Sequence, residues 1–170
     1  MNIDAIEFFD FVDDDDCVIG RASRQEVHQK KLMHRSVHIF VFNSSGHLFL
    51  QKRAEIKDES PGLWDTSSSG HVDSGEDYMT AANRELMEEL NICEPLSFIM
   101  KLKAGPETFW EHVWSYRCVS EKKIRINRDE ISEGRFWSPQ EITVAIEQDK
   151  TQFTPTFLTL WSHVGSTADE

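Results

Sequence analysis

The stretch from Gly70 to Ile92 constrains this chain more than any other. It reads Gly70-His-Val-Asp-Ser-Gly-Glu76, then seven residues, then Arg84-Glu85-Leu86-Met87-Glu88-Glu89-Leu90-Asn91-Ile92. A glycine-containing turn thus runs into a helical pattern with carboxylates at i, i+3 and i+4. On a helix that spacing puts Glu85, Glu88 and Glu89 on one face. Like charges so placed weaken an isolated helix by roughly a few tenths of a kcal/mol. A chain that gathers three of them needs a neutralising partner, and a hard divalent cation with a preference for carboxylate oxygens is the natural one.

The flanking residues support a real helix. Ser74 and Asp77 form a capping-box-like pair ahead of the run. Met79, Ala82, Leu86 and Leu90 make an apolar stripe beside the acidic face, so one side is expected to pack while the carboxylates meet solvent and metal. Arg84, next to the acids, is placed to hold a carboxylate by a charge-assisted bond. Taken alone, Glu-x-x-Glu-Glu describes a solvated, Glu-rich helix face. Gly70, Glu76 and Arg84 at these fixed spacings are what separate the functional reading from that bland one.

The segment resembles the Nudix box: Gly, five residues, Glu, seven residues, Arg-Glu, an apolar residue, any residue, Glu-Glu, any residue, Gly, an apolar residue. One defined position departs, Asn91 standing where the pattern has its late Gly. Asn is the non-Gly residue best suited to a left-handed helix end, so the cap geometry should survive. The resemblance implies a Nudix fold of the α+β class, a mixed β-sheet sandwiched between α-helices. It also implies a divalent metal, Mg²⁺ or Mn²⁺, and a small-molecule substrate containing a diphosphate linkage.

Composition narrows the partners. Lys and Arg total 18 against 30 Asp and Glu, a formal charge of −12. Such a chain binds nucleic acid polymers and anionic membranes poorly, yet it can hold phosphates through an intervening cation. No apolar stretch approaches a membrane span, and the N-terminus has no signal-like core. Cys17, Cys93 and Cys118 are odd in number and far apart, which suits reduced thiols in a cytoplasm. The length fits one domain over residues 1–170, with a core over about 7–160 and a small polar C-terminal tail. A homodimer stays open.

Along the chain, Glu7 to Val12 and Cys17 to Ala22 read as a hairpin about the polar turn Asp13 to Asp16, and Ser23 caps a short helical turn through His28. His34 to Phe42 is a strong β-branched and aromatic strand, followed by the turn Asn43 to Gly46 and a partner strand His47 to Arg53. Ala54 to Ser69 is long, polar and contains Pro61-Gly62; a loop of that length in a compact domain usually serves function. Ser97 to Lys103 and Phe109 to Ser120 read as strands, Lys122 to Asn127 as a possible extension, and Arg135 to Trp137 as a short one. Ser138-Pro139-Gln140-Glu141 is a capping box opening a helix to about Asp149, and Thr154-Pro155 opens another that ends near Gly165.

Residues outside the box sharpen the likeness. Gly20, His28, His34, Gln51-Lys52-Arg53, Pro61-Gly62-Leu63-Trp64-Asp65-Thr66 and Gly70-His71 are arranged as in the isopentenyl-diphosphate-isomerase-like branch of Nudix proteins. His28, His34 and His71 match that branch's metal histidines, and are otherwise polar surface or hydrogen-bonded core residues. The isomerase cysteine is Ser69 here, and its Glu-x-Glu corresponds to Trp110-Glu111-His112. A serine hydroxyl is too weak an acid to protonate an alkene. Both departures argue against isomerase chemistry and for hydrolysis on an isomerase-like scaffold.

The expected reaction is attack of water on phosphorus in a nucleoside diphosphate-X compound, with an isopentenyl-diphosphate isomerase-like enzyme and a non-catalytic nucleotide sensor as alternatives. Metal ligation falls to Glu88 and Glu89 first, with Glu85 binding a further ion or acting as base, and the family resemblance implies that the Gly70 carbonyl adds to the set. Glu76 orients the box with Arg84. Glu130 and Glu133 are candidates for a base from a distant loop. Arg53, Lys52, His71 and Trp64 are the candidate substrate contacts; Phe109, Trp110 and Trp114 stack on a base or belong to the core.

Overall fold

The computed structural model describes residues 6–165; the expected polar tail lies outside the described residues, as does most of the N-terminal stretch. A two-stranded antiparallel hairpin, β1 (Phe8–Val12) and β2 (Val18–Ser23), leads into α1 (Arg24–Lys30). Ser23 caps α1 by accepting from the Glu26 N–H, as expected. The chain continues through β3 (His34–Phe42), β4 (Leu48–Arg53), β5 (Trp64–Asp65), β6 (Ser68–His71) and α2 (Tyr78–Leu90). It finishes with β7 (Ser97–Leu102), β8 (Glu111–Val119), β9 (Ile131–Trp137), α3 (Pro139–Asp149) and α4 (Pro155–Val164).

The main sheet runs β5-β4-β3-β8-β7, with β6 paired to β3 and β9 to β4. Only β3–β8 is parallel, so the sheet is mixed. β3 is buried on both faces, which accounts for its near-continuous apolar run. Val37, Ile39 and Val41 pack with Ala81, Leu86 and Leu90 of α2. The alternate residues Phe40 and Phe42 pack with Ile142 of α3 and Phe157, Leu160 and Trp161 of α4. This is the expected helix–sheet–helix sandwich. β3 carries a second pattern: on the face of Phe40 and Phe42, the positions nearer its start are His34, Ser36 and His38.

Several local expectations are corrected. Ser74 makes no cap: Asp77 alone caps α2, accepting from the Thr80 N–H, while the Ser74 hydroxyl donates to Asp10. Met79 is exposed; Tyr78 and Ala81 complete the packed stripe. The acidic face does not turn to solvent as a whole, since Glu85 and Glu89 are buried and Glu88 alone is exposed. Residues 122–127 form no strand; the Arg125 and Asn127 amides donate to the Leu90 and Glu89 carbonyls at the end of α2. The stretch from Ala54 to Ser69 is not all loop, because β5 and the start of β6 lie within it. The last sheet strand begins at Ile131, so Glu133 sits on a strand and not in an acidic loop.

Candidate active site

β6 lies antiparallel to β3, and α2 packs over it, which brings Gly70 against Glu85. A Cβ at Gly70 would stand 2.2 Å from the Glu85 carboxyl carbon, so only glycine fits this approach. Arg84 binds the cluster together. Its Nε and Nη2 grip Glu76 at 3.0 and 2.9 Å, its Nη1 reaches Glu85 at 2.6 Å and Glu88 at 3.3 Å, and Nη2 also donates to the His71 carbonyl at 2.9 Å. The fork of a guanidinium is what makes such multiple gripping possible. Glu76 and Arg84 pair, as the sequence led one to expect.

Glu89 is 1% exposed and Glu85 8%. The Glu89 Oε2 accepts from the Ser69 N–H at 2.9 Å and from the Gln51 amide at 3.0 Å. Burial, reinforced by the neighbouring Glu89, pushes the Glu85 carboxyl up to about 8, and burial pushes Glu89 up to about 7. Arg84 already offsets Glu85 and Glu88, and a further cation among the three would favour the ionised form of the two buried acids. Hard oxygen donors of this kind suit Mg²⁺ or Mn²⁺. The residues present therefore fit a divalent ion held by Glu85, Glu88, Glu89 and the Gly70 carbonyl.

A second cluster lies alongside. His28, His34 and His71 offer ring nitrogens within 4.8 Å of one another. The Nε2 atoms of His28 and His71 are 3.3 Å apart, and the Glu111 Oε1 lies 3.1 Å from His71 Nε2 and 3.5 Å from His34 Nε2. His34 Nδ1 donates to the Leu32 carbonyl at 2.9 Å, and its buried Nε2 makes no hydrogen bond within normal geometry; although burial opposes it, the Glu111 carboxylate 3.5 Å away raises the ring above its ordinary value. Burial and the other two histidines lower His28 to about 4. Although burial opposes it, His34 and His71 hold the Glu111 carboxyl well below the usual range. Phe9 stacks on His71 at 4.5 Å. Three imidazoles and a carboxylate gathered this closely fit a metal that favours imidazole. The three histidines are therefore not dispersed surface residues, and Glu111 joins them even though the Glu-x-Glu pair is broken.

Between the clusters opens a cavity of about 280 Å³. Glu85, Glu88, His71 and Arg53 line it, and so do Lys57 and Glu130, which form an ion pair with each other. Arg53 is fixed by the Glu59 carbonyl at 3.0 Å and Asp65 at 3.5 Å. Glu89 is not on the cavity wall, so of the three helix carboxylates Glu85 and Glu88 face the space, whereas the sequence ranked Glu88 and Glu89 first. Three expected residues lie elsewhere. Trp64 is in the core, edge-on to Trp137 at 5.1 Å. Lys52 points over the Trp64 ring, and Glu133 lies on β9, paired in register with Lys52; neither lines the cavity. Of the aromatics, Phe109 lines the cavity, while Trp114 stacks on Tyr78 at 4.5 Å.

Sequence reasoning missed His38, Lys57 and Glu59, all on the cavity wall. Lys57 and Glu59 lie in the long loop whose length already suggested function, but the loop's path, not its composition, aims them inward. His38 had a legible signal: a histidine in a strand otherwise read as buried needs a hydrogen-bond partner or a ligand.

A NUDIX domain family profile matches residues 32–157. The chain is 35% identical over 164 residues to an uncharacterised Nudix hydrolase of Yersinia pestis, covering 92% of this chain and 86% of that protein. It is 34% identical over 165 residues to an isopentenyl-diphosphate Delta-isomerase of Serratia proteamaculans, covering 94% and 92%. Among solved structures, one from Deinococcus radiodurans superposes with a TM-score of 0.74 at 28% identity, covering 84% of this chain and 90% of that one.

Proposed function

The chain belongs to the NUDIX domain family, and we propose that it is a Mg²⁺-dependent hydrolase of a diphosphate linkage in a nucleoside diphosphate-X substrate. The observation that carries this reading is the convergence of Glu85 and Glu88 under one arginine clamp, with Glu89 one turn on from Glu85 along the same helix, beside a cavity that also holds Arg53 and Lys57. The bound cation would offset phosphate charge and lower the pKa of the attacking water. Glu85, Glu88, Glu89 and the Gly70 carbonyl would hold it. Arg53 and Lys57 face the anionic diphosphate. Glu130, on the cavity wall and paired with Lys57, accepts the proton of the attacking water. The three thiols, none of them in a disulfide, suit a reducing cytoplasm.

Glu89→Gln tests the ligand set: divalent-dependent release of product from nucleoside diphosphate-X compounds should fall to background while the melting profile stays cooperative. Full turnover by that variant rejects the assignment. Glu130→Gln should lower kcat with little change in cation affinity, read by calorimetry.

One observation favours a second reading. The His28, His34, His71 and Glu111 cluster sits where the isomerase-like resemblance puts metal ligands. Against it, Ser69 offers a hydroxyl in place of the isomerase thiol, and a serine hydroxyl is too weak an acid to protonate an alkene. NMR of isopentenyl diphosphate incubated with the protein and divalent metal should show no dimethylallyl diphosphate; its appearance would reverse the ranking.

A further inference from the structure

The cavity floor carries polar atoms that the protein itself leaves without partners. On β3, Ser36 and His38 are two residues apart and share a face; across to β6 their register partners are His71 and Ser69. Ser36, His38 and Ser69 are 2%, 5% and 7% exposed, and all three line the cavity. The Ser36 Oγ is buried with no hydrogen-bond partner. The Ser69 Oγ and the His38 Nε2 also make no hydrogen bond among the described residues, although the Ser69 backbone N–H is used by Glu89.

The state of His38 follows from its neighbours. The Thr66 hydroxyl stands 2.8 Å from His38 Nδ1 and 3.2 Å from the Ser68 carbonyl, so a proton on Nδ1 lets the hydroxyl accept from the ring while it donates to the carbonyl. Asp65 Oδ1, 3.6 Å from the same nitrogen, favours the proton there too. With Nδ1 protonated, Nε2 is a fixed hydrogen-bond acceptor on the cavity side. The serines add two hydroxyls that can donate or accept. Buried polar atoms without partners are costly unless a ligand completes them. β3 shows the same division along one face, polar at Ser36 and His38 and apolar at Phe40 and Phe42, where the core begins.

We propose that Ser36, His38 and Ser69 form a specificity floor for a hydroxyl-bearing X group, a sugar or polyol on the diphosphate, and that this floor disfavours a hydrocarbon X. The proposal rests on the diphosphate hydrolase reading and deepens it. It also accounts for Ser69, because a hydroxyl too weak to protonate an alkene is a good partner for another hydroxyl. A hydrocarbon X would cover the three polar atoms without satisfying them, and sites built for a hydroxyl reject analogues lacking it.

The test pairs a panel of nucleoside diphosphate-sugars (ADP-ribose, ADP-glucose, UDP-glucose) with the butyl esters of ADP and UDP, which keep the nucleotide and lose the hydroxyls. At least one sugar compound should exceed its butyl partner in kcat/KM by about 100-fold or more. Ser36→Ala should cost the sugar compound about 10-fold for the lost hydrogen bond and should not slow the butyl ester, whose chain then covers one unpaired polar atom fewer. His38→Phe should do the same, and His38→Gln, whose amide oxygen can still accept, should retain part of the preference. Ser36→Ala removes a single oxygen, so it guards against misfolding of the His38 variants. Calorimetry on the same ligand pairs reads the floor independently of turnover. If nothing is hydrolysed, the hydrolase reading fails alone and the binding ratio still decides the floor. No preference for any sugar over its butyl partner, or a preference that none of the variants alters, overturns the proposal.

Discussion

Gly70 has no room for a side chain because the Glu85 carboxylate occupies the place of its Cβ. Glu85 cannot simply swing aside, since Arg84 Nη1 holds it at 2.6 Å and Arg84 is itself locked on Glu76 and the His71 carbonyl. Gly70→Ala should therefore displace a carboxylate of the cation site while the fold survives. A shift of about 1 Å at such a position costs on the order of 100-fold in rate. Steady-state hydrolysis with saturating Mg²⁺, alongside a thermal melt, checks this; an alanine variant with full activity and an unchanged melt would show that the close approach has no functional weight. Residues tied to one another by a short stretch of chain, such as Gly70, Glu76, Arg84 and Glu85, were legible because turn and helix geometry alone bring them together. Trp64, Lys52 and Glu133 were misplaced for the converse reason. Their side-chain directions depend on which strand pairs with which, and β5 and β9 both pair with β4 in a register no local pattern announces.

At the scale of elements, the end of α2 shows how a departure from a motif is absorbed. Asn91 adopts the left-handed conformation, with φ 55° and ψ 40°, and its N–H donates to the Met87 carbonyl. Asn tolerates this region where most side chains do not. Asn91→Val places a β-branched residue there and should destabilise the protein by ~1–2 kcal/mol, a fall of a few degrees in melting temperature; Asn91→Gly should raise stability slightly. Equal melting points for the two variants would contradict the strain argument. The cap was readable from sequence, but the segment that completes it was not. Residues 122–127 alternate apolar and polar like a strand, and Ile124 and Ile126 do pack on the core. Their backbone amides, however, go to the exposed carbonyls that any helix leaves at its C-terminus. Periodicity announces which side chains are buried; it does not say whether a sheet or a helix end takes the hydrogen bonds.

For the molecule as a whole, the acidic cluster couples cation binding, pH and stability. The net charge of −12 already disfavours compaction through self-repulsion, and the buried Glu85 and Glu89 add a local cost. Their folded-state values, about 8 and 7, lie above the 4.5 of the unfolded chain. Between pH 4.5 and those values the unfolded chain has released the protons that the metal-free folded protein keeps. The folded state then binds more protons than the unfolded one, and stability falls as pH rises through that window. A divalent cation reverses the preference, because it binds the ionised carboxylates and only in the folded state, stabilising by mass action. Below about pH 6.5 the depressed histidines, His28 foremost, work the other way, so the metal-free protein should melt progressively lower from about pH 6.5 to about pH 8, whereas the rise in melting temperature on adding Mg²⁺ should grow over the same range. Glu85→Gln should flatten both trends, since a neutral amide removes the titration and one ligand together. Melting curves at half-unit pH steps, with chelator and with excess Mg²⁺, measure both. A Mg²⁺-induced rise that stays constant across that whole range would mean that the cation does not engage the buried pair.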